Sequence, residues 1–286
     1  MVDINKKNFI FCGDVRDLLK EYPENFFDCV ISDVPYKIIT GGARISIESQ
    51  EKYGKTDPKG IFNRMVCHDR LKSKWLKQGD ADSALLVAEG KLFQHCEIKF
   101  EEWLPEVFRV LKDGSHAYFM VNSRNLNELM TKAEAAGFKF MNLLVWEKNN
   151  KTPNKYYMQQ CEFILFLRKG FAKNINDMGM GNVFTIPNII GTKFHPTEKP
   201  VELMKQFVIQ STKPGETILE PFAGSGSTCV AAVECGRFFV AAELEKRFCE
   251  ITAERVSGKA KRKEYKKQNC ELEAGQAQLQ MNLFQQ

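Results

Sequence analysis

Short, nearly continuous apolar runs alternate with stretches of helical periodicity along most of this chain, which limits the folds open to it. Residues 27–32 and 161–167 are almost wholly apolar, as is typical of strands buried on both faces of a sheet. Residues 103–111 repeat apolar side chains at helical spacing and stop before Asp113-Gly114. Strands that alternate with helices predict an α/β fold with a doubly wound, mostly parallel sheet. Ligands of such sheets bind beyond the carboxyl ends of the strands, at the switch point.

The same patterns give the positions of the individual elements. Strands are predicted at residues 9–11, 27–32, 116–121, 138–146, 161–167, 217–220 and 238–243. Helical patterns cover residues 15–19, 100–111, 125–136, 200–212 and 225–235, and a last helix starts at residue 246. Residues 169–191 are rich in Gly and Asn and predict a mobile loop.

The length of 286 residues suits one large α/β domain that carries an insertion. Residues 37–94 have poor periodicity and high charge, and they are too long for a loop in a compact core. We therefore predict one domain over residues 1–256 with an insertion at 37–94. Residues 257–286 form a tail that is basic at first and then rich in Gln.

Charge and composition limit the functional classes to which the chain can belong. Net charge is +5, and basic residues crowd the range 37–77, which favours a polyanionic partner over the alternative of an ordinary solvated surface. No apolar run approaches the roughly 18 residues of a membrane span, and no signal peptide is visible, so a cytoplasmic protein is expected. The nine cysteines lack a C-x-x-C pair and predict reduced thiols. Cys67-His68 and His95-Cys96 are poor zinc ligands because adjacent residues rarely reach one tetrahedral site, so no metal is expected.

A Gly-rich turn follows the strand at residues 217–220. Glu220-Pro221-Phe222-Ala223-Gly224-Ser225-Gly226 opens a helix, where glycines allow close approach of a ligand to backbone N–H groups. Cys229 stands where a dinucleotide fingerprint has its third glycine, and no Gly-Lys-Ser/Thr follows, so a cofactor without pyrophosphate is favoured. Glu243 ends the next strand and is placed to accept hydrogen bonds from ribose hydroxyls, or else to be a surface carboxylate at a helix start.

A second loop, Asp33-Val34-Pro35-Tyr36, follows the strand at residues 27–32. An exocyclic base amine is a poor nucleophile because its lone pair is delocalised into the ring. The Asp33 carboxylate and a backbone carbonyl, each accepting one N–H, would direct that lone pair at an electrophilic methyl group, and the carboxylate could take up the proton. Tyr36 offers a face on which an extruded base could stack. The alternative is an ordinary Asp-x-Pro turn.

These motifs resemble those of the N6-adenine and N4-cytosine DNA amino-methyltransferases. Asp33-Val34-Pro35-Tyr36 resembles the Asp-Pro-Pro-Tyr motif of that family, and the Gly-rich turn resembles its S-adenosylmethionine loop. His195-Pro196-Thr197-Glu198-Lys199-Pro200 resembles a third signature. Because the catalytic motif precedes the cofactor motif, the chain is similar to the beta class, which has a circularly permuted motif order. Asp as the first motif residue is similar to adenine-modifying members. The resemblance covers roughly residues 8–255, except 37–94.

The resemblance implies a Rossmann-like methyltransferase fold that transfers a methyl group from S-adenosylmethionine to N6 of adenine in double-stranded DNA, and it allows a homodimer. The insertion at 37–94 then becomes a candidate DNA-contacting element. The implied catalytic residues are Asp33, Val34, Pro35 and Tyr36. The implied cofactor-binding residues are Asp14, Asp33, Thr197, Lys199, Glu220, Phe222, Gly224, Gly226 and Glu243. For Lys199 the implied role is to hold the methionine carboxylate, and the alternative is a solvated lysine before a helix.

Val34 departs from the family motif, which has proline there. The position contributes a backbone carbonyl to the amine, which any residue retains, and Pro35 still biases Val34 toward extended geometry. Activity is therefore expected to survive. The alternatives are an enzyme that acts on cytosine N4 or on RNA, and a catalytically impaired homologue that binds nucleic acid.

Overall fold

A computed structural model describes residues 3–35, 98–152, 157–191, 193–195 and 197–260. The chain divides into two compact units, residues 1–34 with 100–286 and residues 35–99. The predicted insertion at 37–94, Tyr36, the Cys67-His68 and His95-Cys96 pairs, and nearly all of the basic, Gln-rich tail lie outside the described residues.

Strands and helices alternate through the first unit, as the sequence predicts. The strands are β1 (Phe9–Cys12), β2 (Phe27–Asp33), β3 (Leu111–Val121), β4 (Lys139–Thr152), β5 (Gln159–Arg168), β6 (Val183–Thr185), β7 (Thr217–Glu220) and β8 (Phe238–Glu243). The helices are α1 (Val15–Lys20), α2 (Leu104–Val110), α3 (Leu126–Ala135), α4 (Val201–Ser211), α5 (Ser227–Glu234) and α6 (Lys246–Val256), and a 3-10 turn spans Phe100–Glu102.

The strands form one sheet in the order β1-β8-β7-β2-β3-β5-β4-β6. All neighbours pair in parallel except β5, which is antiparallel to both β3 and β4. The chain crosses from β7 to β8 in one direction along the sheet and from β2 to β3 in the other. The switch point therefore lies between β7 and β2, where ligands of doubly wound sheets bind. This arrangement confirms the predicted fold class.

The central strands are buried on both faces, which accounts for their continuous apolar runs. On one face, the ring of Tyr118 stacks between Phe166 and Phe207 at centroid distances of 4.8 Å each. On the other face, the buried Trp103 packs edge-on against Phe119 at 5.4 Å. Side chains from helical segments thus pack on both faces of the sheet. None of the helices among the described residues is long and apolar enough to cross a membrane.

Some predicted boundaries are wrong. The range 169–191 was predicted as a loop, but it contains β6, which pairs in parallel with β4. The strand β3 begins at Leu111 rather than at residue 116, because polar residues at a strand start can still satisfy the backbone ladder. For the same reason β4 continues beyond residue 146 to Thr152. The helix predicted from residue 225 starts at Ser227, since Gly226 has a φ of +77° and ends the turn.

Candidate active site

The two motif loops lie side by side at the switch point. In the pairing of β2 with β7, Cys29 is opposite Ile218 and Val30 is opposite Leu219, so both strands end at the same edge of the sheet. The Ser32 hydroxyl donates a hydrogen bond of 2.5 Å to Oε1 of Glu220. A direct hydrogen bond therefore joins the ends of β2 and β7, although the two residues are 188 positions apart in the sequence.

Asp33 ends β2 and retains an exposed fraction of 26% of its side chain. Its Oδ2 accepts a hydrogen bond of 2.5 Å from Nζ of Lys199. Its Oδ1 accepts no hydrogen bond from the part of the chain that the structure describes. Burial raises the pKa of Asp33, and the charge of Lys199 opposes that rise. A carboxylate of this kind is a stronger base than one in water.

Lys199 does not stand alone beside Asp33. Its Nζ also lies 3.4 Å from Oε2 of Glu162, and Oε1 of Glu162 is 3.0 Å from Nζ of Lys148. The two lysine side chains are each 8% exposed. Burial alone would raise the pKa of Glu162, but the two lysines hold it below its ordinary value. Carboxylates and ammonium groups therefore alternate in a row, Asp33, Lys199, Glu162 and Lys148.

Val34, the departure from the family motif, is buried, and its N–H donates a hydrogen bond of 3.3 Å to the carbonyl of Met120. Proline has no N–H and could not form this bond. Within the described residues the Val34 carbonyl accepts no backbone hydrogen bond. Valine at this position thus ties the loop to β3 through its N–H and leaves its carbonyl without a backbone partner among the described residues. Pro35 is the last described residue of the motif.

The Gly-rich turn between β7 and α5 requires glycine for conformational and steric reasons. Gly224 has a φ of +51° and Gly226 a φ of +77°, which are left-handed conformations. A Cβ on Gly226 would lie 2.3 Å from Cγ2 of Thr252 on α6. The Thr252 hydroxyl also donates a hydrogen bond of 3.1 Å to the carbonyl of Gly224. Close packing against α6 therefore fixes the backbone path of the turn.

Glu243, at the end of β8, is bound to this turn. Its Oε2 accepts a hydrogen bond of 2.8 Å from the N–H of Gly224, and its Oε1 accepts one of 2.9 Å from the N–H of Glu245. Burial raises the pKa of Glu243, although part of the residue remains accessible. The Glu243 carbonyl accepts the N–H of Gly13 at 2.9 Å, which places the loop after β1 beside it.

Asp14 follows that loop and caps α1, where its side chain accepts the N–H of Arg16 at 2.8 Å. An ion pair of 2.6 Å joins it to the Arg16 guanidinium, whose hydrogen bond holds the pKa of Asp14 below its ordinary value. Asp14, Glu243, Glu220 and Asp33 follow the carboxyl ends of consecutive strands. At about 4.8 Å between strands the row spans about 15 Å. Four acidic residues therefore lie along one edge of the sheet, at and beside its switch point.

Glu220 is the one member of this row that is buried, with an exposed fraction of 3%. Besides the Ser32 hydroxyl, its Oε1 accepts the N–H of Phe222 at 3.2 Å. Burial raises the pKa of Glu220 to about 8. The Phe222 ring is partly accessible and packs edge-on against Trp103 at 5.0 Å. The contacts of Glu220 thus shape the turn, and the accessible members of the turn are Phe222 and Gly224.

The segment before α4 covers the turn. The Thr197 hydroxyl lies 3.0 Å from Nδ1 of His195, and the Thr197 N–H donates to the same nitrogen at 3.2 Å. Burial lowers the pKa of His195 to about 4, so the ring is neutral and Nδ1 accepts both bonds. The ring lies 4.3 Å from that of Phe248 and 3.8 Å from where a Cβ on Gly224 would be.

Sequence reasoning missed Glu162, Lys148 and Arg255. The Arg255 guanidinium donates a hydrogen bond of 2.6 Å to the Ser225 carbonyl and lies 3.1 Å from Oε1 of Glu198, with both side chains nearly fully buried. It thereby joins α6, the Gly-rich turn and the segment before α4. The sequence signal for Glu162 was a charged residue near the start of a buried strand. Arg255 leaves no such signal, because its partners lie in distant segments of the chain.

The model of the N6/N4 DNA methylase family matches residues 27–254, so the chain belongs to that DNA methylase family. The type II methyltransferase M2.DpnII of Streptococcus pneumoniae is 28% identical over 273 residues, which cover 88% of this chain and 90% of that protein. The type II methyltransferase M2.LlaDCHI of Lactococcus lactis subsp. cremoris is 29% identical over 273 residues, with coverages of 88% and 90%.

Solved structures support the Rossmann-like methyltransferase fold. The M1.HpyAVI–SAM complex gives a TM-score of 0.57 at 20% identity, covering 86% of this chain and 98% of that one. The PvuII DNA methyltransferase, which is cytosine-N4-specific, gives a TM-score of 0.60 at 14% identity, with coverages of 86% and 85%. At these identities the likeness concerns the fold, so the roles of the individual site residues stay predictions.

Proposed function

We propose that this protein is a DNA methyltransferase that transfers a methyl group from S-adenosylmethionine to the exocyclic N6 amine of adenine. The observation that carries the proposal is Asp33, a partly exposed carboxylate at the switch point of the sheet with one oxygen open to a donor. Membership of the N6/N4 DNA methylase family supports the reaction class. Asp as the first residue of the loop supports adenine over cytosine.

The cofactor proposed for this edge of the sheet is S-adenosylmethionine, which has no pyrophosphate and carries an adenosine and a methionine part. Glu243 is proposed to accept hydrogen bonds from the ribose hydroxyls, and Asp14, which follows the neighbouring strand, is proposed for the adenine end. The left-handed turn at Gly224 leaves part of that residue accessible, which supports close approach of the cofactor to the backbone. When bound, S-adenosylmethionine supplies an electrophilic methyl group. The other proposed cofactor-site residues are Lys199, Thr197, Glu220, Phe222 and Gly226. The contact of Lys199 with Asp33 supports a second role for this lysine, which is to hold the Asp33 carboxylate.

Asp33, the last residue of β2, and Val34 after it activate the target amine in this proposal. The target amine donates one N–H to Oδ1 of Asp33 and the other to the carbonyl of Val34. These two bonds draw the nitrogen toward tetrahedral geometry, so its lone pair leaves the ring system and becomes nucleophilic. As the nitrogen acquires the methyl group, it gives up a proton to Asp33, whose raised pKa suits it to that task. Tyr36 is proposed as the stacking face for a base turned out of the duplex.

Double-stranded DNA is the proposed substrate, and the basic range 37–77 within the insertion is the proposed contact to its phosphates. Methylation of cytosine N4 is the second candidate, because the same hydrogen bonds to Asp33 and Val34 suit either exocyclic amine. Its support is the similar fold of the cytosine-N4-specific PvuII enzyme.

Expression in a bacterial host that lacks adenine methylation tests the proposal. Sequencing of the host DNA with modified bases identified at single-base resolution is expected to show N6-methyladenine in one sequence context. The Asp33→Ala variant, made at equal soluble level, is expected to leave the DNA unmodified. Modified cytosine in place of adenine would favour the second candidate. Equal adenine modification by the variant would contradict the role of Asp33.

A further inference from the structure

Glu162 lies in the middle of a row of charges that ends at the proposed base. It is on β5, opposite Trp146 of β4, and its two oxygens face Lys148 at 3.0 Å and Lys199 at 3.4 Å. Lys199 in turn contacts Asp33 at 2.5 Å. Strand β4, strand β5, the segment before α4 and strand β2 each supply one member of this row. Lys193, from the segment before α4, is also within electrostatic reach of Glu162.

We propose that Glu162 is a positioning residue that shares the ammonium group of Lys199 with Asp33, and this inference rests on the proposed function. By holding Lys199 on the Oδ2 side, Glu162 leaves Oδ1 of Asp33 for the target amine. By taking part of the charge of Lys199, it keeps Asp33 basic enough to accept the proton that the amine releases. Glu162 touches neither reactant in this scheme and acts through Lys199.

The burial of the row makes this sharing effective. The side chain of Lys199 is 8% exposed, and a buried ammonium group is costly unless it stays paired with charges nearby. If Glu162 loses its charge, Lys199 interacts more strongly with Asp33, and the positive charge of Lys148 is no longer offset by Glu162. Both changes favour the ionised form of Asp33 and so lower its basicity. If Lys148 loses its charge instead, Glu162 draws more of Lys199, and Asp33 becomes more basic.

Opposite shifts are therefore expected for two variants that preserve side-chain size. In single-turnover methyl transfer to DNA, activity requires the Asp33 carboxylate and is lost as the pH falls through its pKa. For Glu162→Gln, we expect the acid limb of the pH–rate profile to move about one pH unit lower and the plateau rate to fall roughly tenfold, because a weaker base accepts the proton less well. For Lys148→Met, we expect the acid limb to move to higher pH.

Glu147→Gln is the matched control. Glu147 neighbours Lys148 on β4 but points to the other face of the sheet, where it accepts hydrogen bonds from Gln160 and Thr185. Its profile is expected to follow that of the wild type. Glu162→Asp keeps the charge and is expected to keep the acid limb near that of the wild type. A fall in rate for Glu162→Gln without movement of the acid limb would mean that Glu162 only supports the fold, and the inference would be wrong.

A titration that needs no DNA separates this inference from the proposed function. Carbon-13 NMR of the labelled protein follows the Asp33 carboxyl carbon, which is assigned by its loss in Asp33→Asn. Relative to the wild type, the midpoint is expected to fall in Glu162→Gln and to rise in Lys148→Met. If the wild type transfers no methyl group, the proposed function fails, yet this titration still decides the inference. Midpoints that do not move, or that move in the same direction, overturn it.

Discussion

Nζ of Lys199 lies 2.5 Å from Oδ2 of Asp33, so the signature before α4 reaches the loop after β2. The resemblance to the family implies that Lys199 holds the methionine carboxylate of the cofactor, and the structure adds a contact with Asp33 of the other motif. The Lys199 ammonium group, bound to Oδ2, can hold the Asp33 carboxylate in one orientation. The two motifs therefore form one site through this pair.

Val34→Pro tests the departure from the family motif. The substitution restores the family residue and keeps the carbonyl, so turnover is expected to stay within about threefold of the wild type. It removes the N–H that binds the Met120 carbonyl at 3.3 Å, which is expected to lower the free energy of unfolding by about 1 kcal/mol. Urea unfolding and steady-state methyl transfer measure the two effects.

Val34→Ala is the control for the previous variant, because it keeps the N–H and loses buried surface. It is expected to lower the free energy of unfolding by about 2 kcal/mol, at about 0.8 kcal/mol for each buried carbon removed, without changing turnover. A large loss of turnover in Val34→Pro at wild-type stability would contradict the carbonyl as the group that this position contributes.

Gly226→Ala tests the packing of the Gly-rich turn. A left-handed conformation costs a residue with a Cβ about 1–2 kcal/mol, and here the Cβ would also lie 2.3 Å from Cγ2 of Thr252. The variant is expected to unfold at lower urea concentration and to bind S-adenosylmethionine at least tenfold more weakly by calorimetry. Gly215→Ala is the matched control, since Gly215 has a φ of +85° and nothing within 4 Å of a Cβ. Equal losses in the two variants would show that the contact with Thr252 has no effect.

Glu220→Gln tests the buried carboxyl group behind the turn. Burial raises the pKa of Glu220 from 4.5 to about 8 in the folded protein. Its contribution to stability is therefore fully present below pH 4.5 and is lost as the pH rises through 8. Between pH 5 and 8, the free energy of unfolding is expected to fall more steeply for the wild type than for Glu220→Gln, by roughly 1 kcal/mol per pH unit.

Urea unfolding at several pH values measures that difference. Glutamine keeps an oxygen that can accept the bonds from Ser32 and Phe222, so the variant is expected to fold. The exposed Glu250 provides the control, and Glu250→Gln is expected to keep the slope of the wild type. Parallel pH dependences for wild type and Glu220→Gln would mean that Glu220 is ionised in the folded protein at neutral pH.

Much of the fold could be predicted because it rests on local periodicity. Strands β7 and β8 were predicted with the bounds that the structure has, since their apolar runs are short and end at turns. The neighbouring positions of Asp33 and Glu220 also followed from the order of the motifs and the rule that ligands bind at a switch point. The short strand β6 could not be predicted, because its three residues are extended only through their pairing with β4 and form no periodic pattern of their own.

The contacts within the site could not be predicted from the sequence, because they too depend on how the strands pair. Glu162 lies on β5, Lys148 lies on β4, and Lys199 lies in the segment before α4. Their side chains meet because β5 lies between β3 and β4 in the sheet, which does not follow from the order of these strands in the sequence. That Val34 donates to Met120 likewise depends on the register of β2 against β3. Residue types led to the proposed chemistry of the loops, whereas the order of the strands in the sheet decides which charged side chains come together.

Methyl transfer in vitro tests the central role of Asp33 most directly. Purified protein is incubated with double-stranded DNA and S-adenosylmethionine labelled on its methyl group, and the DNA is digested to nucleosides. The label is expected in N6-methyldeoxyadenosine for the wild type and for Asp17→Asn, a substitution of an exposed residue on α1. For Asp33→Asn, whose amide oxygen can still accept a hydrogen bond but not the proton, the rate is expected to fall at least about a hundredfold. Label in N4-methyldeoxycytidine, or equal labelling by Asp33→Asn, would contradict the account.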